Sequence, residues 1–135
     1  MQQHINFITL GVADIAVSRR FYQDAFGWQE TADSNDNIAF FQAGNALRFA
    51  LYGKNALAED AQVPAESSGF PRFALAHNVG SEAEVDALFA TLGEKNATIV
   101  KAPHKAFWGG YSGYIADPDG FLWEIAYNPF LPVLR

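Results

Sequence analysis

INFITLGVADIAVSRRFYQDAFGW, residues 5–28, decides the architecture. Residues 5–12 are apolar and carry β-branched side chains, which predicts a buried strand. Asp14 offers a helix N-cap, Val17, Phe21 and Ala25 recur at helical spacing across residues 15–26, and Gly27 stands where a helix end takes a left-handed residue. Three short strand candidates follow, at 28–33, 38–43 and 46–52, separated by SNDN at 34–37 and by Gly44-Asn45. The first half reads βαβββ.

The same order restarts at residues 72–79, RFALAHNV. Ser81 with Glu84 forms a capping box, and Val85, Leu88, Phe89 and Leu92 follow at amphipathic spacing. Strands are predicted at 98–102, 111–116 and 121–127, the last two joined by the turn Asp117-Pro118-Asp119-Gly120. Two units of this size do not each close a core alone, so they are expected to pack together, in one chain or between chains, with residues 1–135 forming one α+β domain. Module one spans 4–53, a connection with a short helix at 55–61 fills 54–71, module two spans 72–128, and 129–135 form an apolar tail. Curved mixed sheets around a central cup are the expected outcome.

The composition removes several function classes. No run approaches the roughly 18 apolar residues of a membrane span, and the opening MQQHINF has neither a basic nor an apolar leader segment, so a soluble cytoplasmic protein is expected. With no Cys there is no disulfide framework, thiolate metal site or cysteine nucleophile. Nine Lys and Arg are scattered against fifteen Asp and Glu, a net charge of −6, which argues against a nucleic-acid partner and is compatible with a cationic ligand.

Thr9-Leu10-Gly11-Val12-Ala13-Asp14, then Phe21-Tyr22, Gly27-Trp28 and DPDGFLWEI at 117–125, within a doubled βαβββ plan, resemble the vicinal oxygen chelate superfamily of glyoxalases, bleomycin-resistance proteins and extradiol dioxygenases. The resemblance covers nearly the whole chain and implies the glyoxalase/bleomycin-resistance/dioxygenase fold. It also implies a homodimer, and in metal-using members a divalent ion held by four His or Glu side chains, one pair from each half. The first of those positions lies seven residues before the cap of the first helix and is Phe7 here; the second is Ala50, or Phe49 one residue away. The third, seven residues before Ser81, is Ala74, with Phe73 as its neighbour, and the fourth is Glu124. Three of the four cannot coordinate. Strand parity points His4 and His77 away from the cup, with His77 sharing a face with Phe73, Leu75 and Val79 as a core histidine. No cofactor is therefore expected, and a divalent metal is disfavoured.

The candidate cup-lining residues are Phe7, Thr9, Arg48, Ala50, Tyr52, Ala74, Ala76, His104, Trp108, Tyr111 and Glu124. His104 is placed in the loop before the 111–116 strand, and Trp108 and Tyr111 flank the glycines of FWGGYSGY at 107–114, where aromatic rings beside a bending backbone can floor a pocket. That segment lacks the Lys and Ser/Thr of a phosphate loop. Glu124 is the candidate catalytic residue: a carboxyl in an apolar cup can serve as a general base or grip a cation, and the alternative is an ion pair with Arg48. Three readings stay open. The first is a protein binding a small, mostly apolar or aromatic organic molecule without metal. The second is a glyoxalase- or dioxygenase-type enzyme, with a non-standard ligand set or metal-free with Glu124 as base. The third is an assembly or regulatory domain without ligand.

Overall fold

The Asp14 carboxylate accepts hydrogen bonds from the backbone N–H groups of Ala16 (2.9 Å) and Val17 (3.3 Å) and so starts helix α1 (Ile15–Asp24). The computed structural model describes residues 2–3, 5–66, 68–71 and 73–133; His4, the first residue of the expected 72–79 strand (Arg72) and the last two tail residues lie outside the described residues. The chain divides into two units, Met1–Gly69 and Phe70–Arg135, and the division falls inside the expected connection.

In the first unit, strand β1 (Phe7–Val12) runs parallel to β3 (Leu47–Gly53), which pairs antiparallel with β2 (Ile38–Ala43), giving the sheet order β1-β3-β2. Leu10 and Val12, Phe49 and Leu51, and Ala39 and Phe41 occupy one face, the α1 face, and all are buried. The helix presents Ser18, Phe21, Tyr22 and Ala25 to the core, while Val17 of the expected stripe is 44% exposed. The stripe is rotated because the Tyr22 ring, fully buried, enters an aromatic cluster with Phe49 (4.9 Å between centroids), Phe26 (5.1 Å) and Trp28 (5.9 Å).

That cluster also accounts for the missing strand at 28–33. The Trp28 backbone N–H donates to the Tyr22 carbonyl (3.1 Å) and its ring packs on Phe26, Phe41 and Phe49, so the segment folds back on α1 instead of extending beside β2. Only an isolated bridge, Glu30 with Phe41, and a Thr31 N–H bond to the Phe40 carbonyl (2.9 Å) remain of the ladder. After β3 comes α2 (Lys54–Ala61), which approaches the opposite face of the sheet: a Cβ on Gly11 would lie 3.2 Å from Leu57.

The second unit completes βαβββ. β4 (Ala74–Val79), α3 (Glu82–Glu94), β5 (Thr98–Lys105), β6 (Tyr111–Ala116) and β7 (Leu122–Tyr127) form a sheet ordered β4-β7-β6-β5, with β4 and β7 parallel and the other pairs antiparallel. Ser81 Oγ accepts from the Glu84 N–H (3.2 Å), and the Glu84 carboxylate reaches back to the Gly80 N–H, so the expected capping box forms one residue wider than usual. Val85, Phe89 and Leu92 are buried on the side of the sheet that carries Ile115, Trp123 and Ile125. At the 117–120 turn the Asp117 carboxylate accepts from the N–H groups of Asp119 (2.9 Å) and Phe121 (2.8 Å), and Gly120 takes φ +85°. β5 runs to Lys105 rather than stopping at 102, with register shifts between Ile99 and Lys101 and between Lys101 and His104. Its bulged backbone lies so close to Gly113 that a Cβ there would meet the Lys101 carbonyl at 2.6 Å and the Pro103 nitrogen at 2.9 Å. Among the described residues no helix is long and apolar enough to cross a membrane.

Candidate functional site

The strand registers sort the candidate residues by face. In the first unit Phe7 pairs with Arg48, Thr9 with Ala50 and Gly11 with Tyr52, and Ala50 continues to Phe40 and Arg48 to Gln42 across β2. Phe7, Thr9, Arg48, Ala50 and Tyr52 therefore share the face opposite α1, as strand parity anticipates. Phe7 is 48% exposed and meets Phe40 edge-to-face at 6.1 Å between centroids, whereas Ala50 is buried. Arg48 is the charged member of this face. Its Nη2 donates to Thr31 Oγ1 (2.7 Å) and to Asp33 Oδ1 (2.8 Å), and its guanidinium carbon lies 4.5 Å from the Phe40 ring centroid and 5.5 Å from that of Phe7. The Arg48 hydrogen bond, followed by one from Thr31, holds the Asp33 carboxyl at about 2.

In the second unit Ala74 pairs with Leu122, and Ala76 with Glu124, which pairs in turn with Tyr114; His104 pairs with Ser112, two residues from Tyr114. Ala74, Ala76, Glu124 and His104 thus share the face opposite α3. The Tyr114 phenol is raised above its ordinary value, first by a side-chain hydrogen bond with Glu124, then by burial and by the same carboxylate's charge. Glu124 thus stands opposite the Tyr114 phenol across the β6–β7 pairing, and Arg48 is engaged by Asp33 and Thr31.

Two expected members stand elsewhere. Tyr111 pairs with Tyr127 on the α3 side, its hydroxyl donating to Asp86 of α3 (2.8 Å), a bond that raises its phenol. It leaves the lining set because it is three residues from Tyr114, an odd number on an alternating strand. Trp108 lies in the turn between β5 and β6 with its ring over Gly110, where a Cβ would come within 1.8 Å of it. His104 belongs to β5, not to a loop: the strand continues past two register shifts, which move its partner by two positions to Ser112 and so leave its side chain on the Glu124 face. Its Nδ1 is buried without a hydrogen-bond partner among the described residues. His77 shares the α3-side face with Leu75 and Val79 as expected, yet it is exposed at the sheet edge rather than in the core, and desolvation by the groups beside it lowers its imidazole.

Tyr114, Phe40, Thr31 and Asp33 are the members that reading residues one at a time misses. Tyr114 is recoverable by counting outward from the 117–120 turn, which puts 116 opposite 122 and 114 opposite 124. Thr31 and Asp33 belong to a segment without regular register, and nothing local marks them.

The implied divalent ion does not fit these side chains. Phe7, Ala50 and Ala74 offer no donor, which leaves Glu124 alone of the four positions, and the described residues contain no group of three His, Cys, Asp or Glu able to hold a metal.

The sequence model of the Glyoxalase/Bleomycin resistance protein/Dioxygenase superfamily matches residues 4–125. The chain is 39% identical to a glyoxalase-related enzyme from Fulvimarina pelagi, with a TM-score of 0.88 over 97% of this chain and 92% of that one. It is 26% identical to the metallothiol transferase FosB of Staphylococcus saprophyticus over 93% of this chain and 77% of the relative. A lactoylglutathione lyase from Agrobacterium tumefaciens shares the fold, with a TM-score of 0.74 at 21% identity over 98% of this chain and 99% of that one.

Proposed function

The chain belongs to the Glyoxalase/Bleomycin resistance protein/Dioxygenase superfamily, and we propose that it binds a small, mostly apolar or aromatic organic molecule in the cup of that fold without the divalent ion of its metal-using relatives. The observation that carries this reading is the donor set. Phe7, Ala50 and Ala74 carry no donor at positions where the resemblance calls for imidazole or carboxylate, Phe7 offers exposed ring surface, and a site that loses even one donor is severely weakened. Aromatic and aliphatic surface with few polar groups is what a small organic ligand uses. Metal analysis of protein purified without chelator, followed by titration with Zn, Ni, Mn and Fe, is expected to find no stoichiometric ion. One tightly held ion per chain overturns the reading. It takes the protein as a cytoplasmic homodimer, for which sedimentation at micromolar concentration is the check of assembly.

A second reading is favoured by one contact. Tyr114 faces Glu124 across the β6–β7 pairing, and the carboxylate beside it raises the phenol, a proximity that suits metal-free acid–base chemistry. Glu124→Gln separates the two. Turnover is abolished if Glu124 is a base, and only the affinity for hydrogen-bond-donating ligands changes if it is a binding group.

A further inference from the structure

We infer that Arg48 is an anion-binding group on the lining face of the first unit, and that the ligand taken there is an aromatic or apolar molecule bearing a carboxylate or another oxyanion. The inference rests on the small-molecule reading above and narrows its ligand class. Three observations carry it.

The first is orientation. Phe40 lies under the guanidinium at 4.5 Å and Phe7 beside it at 5.5 Å, while Nη2 spends its hydrogens on Thr31 Oγ1 and Asp33 Oδ1. A flexible side chain is thereby fixed before any ligand arrives, which removes much of the ordering cost of binding. The second is donor count. A guanidinium carries five N–H donors, and among the described residues Nε–H and the two Nη1–H have no partner, although the side chain is still 26% exposed. Those three donors are what an oxyanion uses, since charge-assisted N–H bonds are about twice as strong as neutral ones.

The third is setting. The same face holds the exposed Thr9 diagonal to Arg48, with Phe7 and Phe40 beside the guanidinium, so Arg48, the one charged side chain among the described strand residues of that face, sits among apolar surfaces that match a ring or an alkyl body. The opposing consideration is the Asp33 charge. It binds at one edge of the guanidinium and is itself exposed, so it fixes the plane without covering the remaining edge. The overall charge of −6 repels anions at long range and acts on the association rate more than on the closed contact.

The test uses 1-naphthoate, its neutral amide 1-naphthamide and the cation 1-naphthylmethylamine, titrated into the full chain by calorimetry. Naphthoate is expected to bind about tenfold tighter than the amide. Its addition, and not that of the amide, should shift the Arg48 Nε–H resonance. Arg48→Gln should equalise the acid and the amide, and Arg48→Lys, which keeps the charge and guards against a folding defect, should retain part of the preference. Equal binding of all three compounds by the unaltered chain, or a preference for naphthoate that survives Arg48→Gln, overturns the inference and leaves the small-molecule reading standing. No binding by any of the three overturns both.

Discussion

In the first unit the sheet edge beside β2 carries two isolated bridges, Glu30 with Phe41 and Asn35 with Ile38, whereas in the second the corresponding edge beside β6 is the eight-residue strand β5. The remaining order is the same, since β1-β3-β2 repeats as β4-β7-β6 with one parallel and one antiparallel pairing in each. The units differ in how that edge is fastened. In the first, two arginines replace the ladder. Arg19 of α1 reaches Glu30 and the carbonyls of Asn35 and Ile38, and Arg48 of β3 reaches Thr31 and Asp33. In the second, backbone pairing does the work, and the extra length is absorbed by two bulges over Gly113. The equivalent rows of the lining faces diverge as well: Thr9, Ala50 and Phe40 in one, Ala76, Glu124 and Tyr114 in the other. One topology therefore presents a largely apolar row beside a fixed cation in one unit and an acid opposite a phenol in the other.

The strongest way to break the comparison is through the aromatic cluster credited with diverting residues 28–33. Phe41→Ala, at a position 1% exposed, should cost about 3–5 kcal/mol in urea unfolding. A loss below about 1 kcal/mol would remove the cluster as the cause. Next is the bulged edge. Gly113→Val forces a side chain into the backbone of Lys101 and Pro103 and into the Phe89 ring, and should destabilise by about 1–3 kcal/mol or more. Amide exchange in β5 would rise with it, since that strand must move.

A smaller effect compares the two helix starts, which use different residues for one purpose. Asp14→Ala and Ser81→Ala should each cost about 1 kcal/mol, read from thermal or urea midpoints. A near-zero value for only one would show that its helix is held by packing alone. The smallest concerns Asp33. Its carboxyl is depressed from 3.8 to about 2, so the stabilisation it supplies is complete above its ordinary value and disappears as the pH falls through about 2. The deficit of Asp33→Asn should accordingly be constant from pH 7 to about 5 and shrink between pH 4 and pH 2, followed by thermal unfolding at fixed salt. A deficit that persists at pH 2 would mean that the Asp33 contact with Arg48 does not depend on charge.

What short-range physics controls is legible in the chain before it folds. Caps at Asp14 and Ser81, the turn at 117–120 and the alternation of strands place Phe7, Thr9, Arg48, Ala50 and Tyr52 on one face and Ala74, Ala76 and Glu124 on another, because side chains alternate with period two whatever surrounds them. Even Tyr114 opposite Glu124, and Tyr111 on the other face, follow from counting along that hairpin. The rest depends on contacts between segments brought together by folding. Whether residues 28–33 pair with β2 is a contest between a ladder and burial of Trp28 among Tyr22, Phe41 and Phe49, residues far apart in the chain. That β5 continues past two bulges to bring His104 into the ladder has no signature in its own neighbours, and the partner of Arg48 depends on where an irregular segment comes to rest. Such choices are settled by competing long-range contacts, and those exist only once the chain is folded.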